Sequence, residues 1–229
     1  MKKLLIALVV LLALAVGADR LAAYVAGQVV ASKLRTTAGL ATDPAVTITG
    51  FPFLTQALAG RYDKIEVEAR DVDRGGVRLS RLHVDLLGAR IPMRAALSGH
   101  VPAVPVEGLR GAVTLTYADL SRGRTSLRVT PLPGNQVAVT GRLTLLGATV
   151  TAGTRSTVTL SGNSLVITAQ SLSIDGQSSA LLDSAIAGKL DLKVPLGTLP
   201  YGLRLTSVRI TAAGAVVAAT SGPTVLQAR

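Results

Sequence analysis

Ile65-Glu66-Val67-Glu68-Ala69-Arg70 alternates apolar and charged side chains without a break. A period of two over such a length marks a strand with one covered face and one wet face. Gly75-Gly76 follows as a turn, and Val77 and Leu79 begin the returning strand. Leu82, Val84 and Leu86 continue it one residue out of step, which predicts a bulge near Ser80-Arg81.

Working outward, residues 45–49 read as a strand that stops at Gly50-Phe51-Pro52-Phe53, where the proline holds Phe51 extended. Leu54–Ala59 reads as a short helix closed by Gly60. On the other side, Val113–Tyr117, Leu127–Val129, Val137–Leu143, Ala148–Ala152, Ser156–Leu160, Leu165–Ala169 and Leu190–Val194 read as short strands. Ala118–Arg122 reads as a helical turn and Ser179–Ala187 as a second short helix. Leu203–Thr211 and Ala215–Thr220 form a hairpin around Ala213-Gly214. Strand follows strand with few helices between, so the sheet is antiparallel and the class is α+β, mostly β. No stretch rich in Pro, Ser or charge divides residues 19–229, which read as one elongated domain.

The N-terminus is of another kind. Lys2 and Lys3 precede an apolar run, Leu4–Val16, followed by Gly17-Ala18 and then Asp19. This is the layout of a secretory signal cut after Ala18. Left uncut, residues 1–18 become a short membrane tether, since the run falls below the roughly 20 apolar residues of a spanning helix. Either outcome places the rest outside the cytoplasm, in the cell envelope on the periplasmic side of the plasma membrane, or secreted. From Asp19 to Gly39, rows Leu21/Val25/Val29 and Val30/Leu34 alternate with Arg20, Gln28, Ser32, Lys33 and Arg35. That spacing predicts an amphipathic helix packing on the domain's own sheet or, with the leader attached, starting beside the membrane.

Composition narrows the function. The 229 residues are 48% apolar and 16% charged, which supports a real core. The sequence has no Cys, so it has neither disulfides nor thiolate chemistry, and two histidines are too few for a multi-histidine zinc site. A net charge of +11 suits an anionic partner. Nucleic acid fits badly, because the chain carries an export signal and aromatics are 3% with no Trp. An anionic membrane surface fits better.

Catalytic patterns fail in turn. There is no Gly-x-Ser-x-Gly, no His-Glu-x-x-His and no phosphate-cradling Gly-x-x-x-x-Gly-Lys-Ser/Thr. His83 sits in an alternating strand and reads as a solvated side chain, and His100 as a loop residue. Asp71-Val72-Asp73 before Gly75-Gly76 echoes a calcium loop, but Leu82 stands where the bidentate Glu belongs. Glu66 and Glu68 mark the wet face of their strand. No catalytic residue, metal site or cofactor is expected.

Shape remains. Thr, Ala, Val and Ser dominate residues 137–175, so the sheet either curls around a helix or cavity, or closes as a filled sandwich. A six-residue strand spans roughly 20 Å, near the length of an acyl chain. Aliphatic lining needs no motif.

The block Gly50-Phe51-Pro52-Phe53-Leu54-Thr55-Gln56, followed by Gly60-Arg61-Tyr62, resembles the signature of the LmeA-like phospholipid-binding proteins of actinobacteria. Ala18-Asp19-Arg20, Thr116–Leu120 and Leu199–Leu205 agree with it, so the resemblance covers nearly the whole chain. It implies a non-enzymatic, exported, membrane-associated protein that binds phospholipids, with anionic headgroups such as phosphatidylinositol favoured. It also implies a tubular lipid-binding type of fold, in which a curved sheet wraps a long N-terminal helix around an apolar groove. A link to mannan elongation on envelope lipoglycans comes with it, and with that a membrane glycosyltransferase as partner. The alternative function is a non-catalytic scaffold for such an enzyme.

Read from the residues, two lips suggest themselves. Phe51, Phe53, Leu54 and Leu58 form one, with Arg61 beside it to meet a phosphate. Pro200, Tyr201 and Leu203 form the other, with Arg204 beside it. The competing reading is that these side chains plug the end of the domain.

Overall fold

The computed structural model describes residues 2–74, 77–98, 101, 103–121, 127–145, 148–174, 177–178, 192–196 and 199–227. The helix expected at 179–187, His100 and the Gly75-Gly76 turn lie outside the described residues. The elements run α1 (Lys2–Ala38), β1 (Ala45–Thr49), α2 (Phe53–Ala59), β2 (Arg61–Arg74), β3 (Val77–Arg90) and α3 (Met93–Ser98). Then come β4 (Ala103–Val106), β5 (Gly108–Leu115), α4 (Tyr117–Leu120), β6 (Leu127–Leu132), β7 (Gln136–Leu145), β8 (Ala148–Ser161) and β9 (Ser164–Ile174). The chain closes with β10 (Gln177–Ser178), β11 (Leu192–Pro195), β12 (Arg204–Thr211), β13 (Gly214–Ser221) and β14 (Thr224–Gln227). The class is α+β, with a long N-terminal helix and antiparallel strands in curled sheets.

One sheet has the order β1-β2-β3-β5-β13-β12, a second the order β10-β9-β8-β7-β6 with β11 also on β9, and β14 pairs with β4. The chain forms two compact units. The first contains residues 1–70, 82–111 and 220–229, and the second 71–81 and 112–219. Strands β2, β3, β5 and β13 each contribute residues to both.

In the first unit, Ile65 and Ala69 are buried and Val67 half-buried, as their alternation predicts. Helix α1 packs on β1 and α2. It runs unbroken through the expected cleavage point at Ala18, since no residue there stops a helix. The face it buries is not the predicted one. Asp19, Ala23, Gly27 and Ala31 are covered, whereas Leu21, Tyr24, Val25 and Val29 point outward. The reason is distance: a Cβ on Gly27 would lie 2.6 Å from the Val46 carbonyl oxygen. A helix seated this close to a strand backbone admits small residues only, so the large aliphatics are turned away.

In the second unit, β6 to β9 form a meander whose inner face meets residues of β5, β12 and β13. Leu115, Val129, Val137, Val139, Val158, Leu165, Ile167 and Val217 make its buried cluster. Ser156-to-Leu160 and Ala148-to-Ala152, predicted as separate strands, are one strand, and its pairing with β9 shifts between Arg155 and Ser156, where Gln170 of β9 is the extra residue. The phase slip predicts a bulge near Ser80-Arg81, and β3 runs unbroken through these residues, as a bulged strand also does. Left-handed backbone occurs at Asp71 on β2, φ 52°, clasped by Arg78 Nη2 at 2.7 Å, and further along β3 at Gly88, φ 59°. Leu79, before the slip, packs on the second unit's cluster, and Leu82, after it, belongs to the first unit.

Candidate functional site

Helix α2 is a short platform built by the residues around it. Its N-cap is Pro52, which offers no side-chain acceptor. Asp19 of α1 supplies one instead: the Leu54 N–H donates to Oδ1 at 2.9 Å and the Phe53 N–H to Oδ2 at 3.1 Å. A carboxylate at a helix start also meets the positive end of the dipole. Arg20 Nη2 donates to the same Oδ2 at 2.6 Å and to the Gly50 carbonyl at 2.9 Å, and its guanidinium stacks 5.2 Å from the Phe51 ring centroid. Burial alone would raise the Asp19 pKa, but the Leu54 N–H, Arg20 and the Phe53 N–H outweigh it and hold the carboxyl below its ordinary value.

The rest of the Gly50–Tyr62 block also serves this platform. Gln56 Oε1 accepts the Asp63 N–H at 2.9 Å, and Gly50 leaves room for the Gln56 side chain, since a Cβ there would sit 2.3 Å from Nε2. Gly60, φ 64°, ends α2 in the left-handed conformation, and its carbonyl accepts the Ile91 N–H at 2.9 Å. Helix α3 packs against α2.

The residues expected at the first lip therefore divide. Phe51, Leu54 and Leu58 are exposed, Leu58 at 71%. Phe53 is not on the lip: it is 6% exposed, with its ring 6.3 Å from that of Tyr62. Its place as the first residue of α2 turns it inward to anchor the helix. Arg61 is exposed and paired with Glu107 at 2.8 Å, and Arg90 shares that carboxylate at 3.6 Å. The second group belongs to the other unit. Pro200 and Tyr201 are exposed in a 3₁₀ turn, Tyr201 at φ 59°, while Leu203 is half-buried and Arg204 exposed.

His83 keeps its side chain 39% exposed, with Nε2 3.0 Å from Asp85 Oδ1, two residues along the same strand face. Glu66 pairs with Lys64, and Glu68 with Arg70 at 3.4 Å. On the opposite face of β3, Leu82, Val84 and Leu86 are only half-buried. Among the described residues no group of His, Asp and Glu is placed to hold a metal ion. Sequence reasoning gave Asp19 no role. The signal available was a carboxylate directly after an apolar run, one turn before the stripe of small residues Ala23, Gly27 and Ala31.

These features define a class: an α+β protein with curled antiparallel sheets, an apolar N-terminal helix and exposed aliphatic side chains on its short helix α2. Compared with known families, residues 17–220 match the LmeA-like phospholipid-binding family, and the chain belongs to that family. Neither the curated proteins nor the solved structures yielded a significant match.

Proposed function

We propose that this is an exported, membrane-associated protein that holds phospholipid acyl chains against the aliphatic side of its curled sheets and performs no catalysis. The observation that carries the reading is the row Leu82, Val84, Leu86 on β3. These three side chains lie on the face away from His83 and Asp85 and are only half-buried. Water against such a row is costly. An acyl chain laid along it gains about 0.8 kcal/mol for each methylene it buries, and a strand of this length matches the chain's extent.

Phe51, Leu54 and Leu58 form one apolar lip and Pro200, Tyr201 and Leu203 another, with Arg61 and Arg204 placed for headgroup phosphate. The net charge of +11 favours anionic headgroups, phosphatidylinositol among them. Support of mannan elongation on envelope lipoglycans, and contact with a membrane glycosyltransferase, rest on the family resemblance. Residues 19–229 act together in lipid binding in this reading, with residues 1–18 as signal or tether.

Native mass spectrometry of the full chain, released from a mild detergent, tests it. The expected spectrum carries an adduct of phospholipid mass that Val84→Gln diminishes. A bare polypeptide mass from the unaltered, folded protein overturns acyl-chain holding and leaves the scaffold alternative.

A further inference from the structure

We propose that α2 is a foot that docks the first unit on a bilayer surface, with Phe51, Leu54 and Leu58 entering the interfacial layer. The inference rests on the reading of this surface as a lipid-facing lip. It goes further by naming the bilayer itself, not a carried lipid, as what covers it.

Three observations converge. The first is what the surface offers: Phe51 at 62%, Leu54 at 46% and Leu58 at 71% exposure, with Met93 of the adjoining α3 at 40%. Leu54 and Leu58 are four residues apart and so share one face of α2. The buried Phe53 and the Gln56–Asp63 hydrogen bond hold the opposite face down.

The second is position. Asp19 fastens the start of α2 to α1 at the very residue where the apolar segment ends. Every residue from Leu4 to Val16 is exposed, in a helix whose mean hydropathy reaches 2.4. Wherever that segment meets a membrane, α2 lies at its exit. A helix lying in the interface with its apolar side down is a known mode of membrane attachment.

The third is charge. Arg20 stacks on Phe51 at the start of α2. Arg61 follows its C-terminal Gly60, and the Ile91–Gly60 hydrogen bond brings Arg90 to the same end. All three guanidinium groups are exposed, at 46%, 59% and 58%. Their carboxylate partners are Asp19, which is buried, and Glu107, which Arg61 and Arg90 share. An apolar foot with guanidinium groups at both ends, three against two carboxylates, fits an anionic lipid surface.

The absence of Cys allows a direct test, because one introduced cysteine is a unique label site. Full-length Leu58→Cys, and separately Leu54→Cys, carries a nitroxide into vesicles of phosphatidylcholine and phosphatidylglycerol. Thr37→Cys is the reference, about 27 Å from Asp19 along α1 at 1.5 Å per residue. The expected result is an oxygen-to-nickel-chelate accessibility ratio several-fold higher at 54 and 58 than at 37. Equal ratios at all three sites overturn the foot. Omitting phosphatidylglycerol should lower the ratio at 58, and a ratio indifferent to it overturns the basic ends. The lipid adduct of the same labelled proteins separates the two readings. Lipid retained without insertion rejects the foot alone, and insertion without lipid rejects acyl-chain holding alone.

Discussion

The Asp19 carboxylate receives the Leu54 N–H at 2.9 Å across 35 residues of sequence, so a side chain of the first helix caps the second. That contact converts the family block from a string of residues into a device. Pro52 cannot cap α2, Phe53 must be buried to seat it, and Gly60 must turn left to end it. What is left over, Phe51, Leu54 and Leu58, is free to face outward.

Charge is essential to this cap, and the pH dependence has a definite sign. The folded-state pKa of Asp19 is depressed, so its stabilisation is present above the unfolded value of about 3.9 and is lost as pH falls through the folded value. Thermal unfolding should therefore show a loss of stability below about pH 4. Asp19→Asn should remove that part of the acid dependence and lower the midpoint at neutral pH. Amide hydrogen exchange at Phe53 and Leu54 should quicken in the variant. Unchanged exchange at both amides would refute the cap.

Gly27 is required for clearance, not for flexibility. A side chain there must displace the Val46 backbone, and overpacking of this kind costs about 1–3 kcal/mol. Gly27→Leu raises helix propensity by about 0.8 kcal/mol, which offsets part of this loss, and should still lower the urea midpoint. Gly17→Ala provides the contrast, since nothing lies within 4 Å of a Cβ at that position. It should be neutral or mildly stabilising.

How much of this was legible in the sequence depends on which force set each element. The alternation at Ile65–Arg70 follows burial on one sheet face, and it read correctly. So did the short helix before Gly60 and the hairpin of β12 and β13, although its turn residues are Ala212-Ala213, one position early. The seat of α1 was illegible because the usual rule fails there. Hydropathy picks Leu21, Val25 and Val29 as the packed row, whereas closeness to β1 selects Ala23, Gly27 and Ala31. The gap between the strands expected at Ala148–Ala152 and Ser156–Leu160 is no break, because Gly153 pairs with Ser173 within β8 and faces it at close range. Of the residues grouped with the first lip, Phe51, Leu54 and Leu58 are exposed. Phe53 is buried, and no periodicity in so short a helix distinguishes its anchor from its exposed residues.

Phe53 and Leu58 should accordingly respond in opposite ways to substitution. Phe53→Ala removes a buried ring from its contact with Tyr62, and such deletions cost about 3–5 kcal/mol. Leu58→Ser changes an exposed side chain and should alter stability by less than about 0.5 kcal/mol. Denaturant unfolding of the two variants gives the comparison. Equal losses would mean that α2 is seated differently from the arrangement described.

Asn135 provides a test confined to the second unit. It sits in the turn between β6 and β7 at φ 60°, where its Oδ1 accepts the Ile210 N–H at 2.8 Å and its Nδ2 donates to the Val158 carbonyl at 3.2 Å. One side chain thus ties the meander to β12. Asn135→Gly keeps the left-handed conformation and loses both hydrogen bonds, each worth about 0.5–1.5 kcal/mol. Asn135→Ala loses them and adds about 1–2 kcal/mol for a Cβ in left-handed backbone. Thermal midpoints should therefore fall in the order Asn, Gly, Ala, with Ile210 amide exchange raised in both variants. Were Ala to match Gly, the turn would have to relax out of its left-handed conformation at no cost. Were Gly to match Asn, the tether to Ile210 would carry no stability.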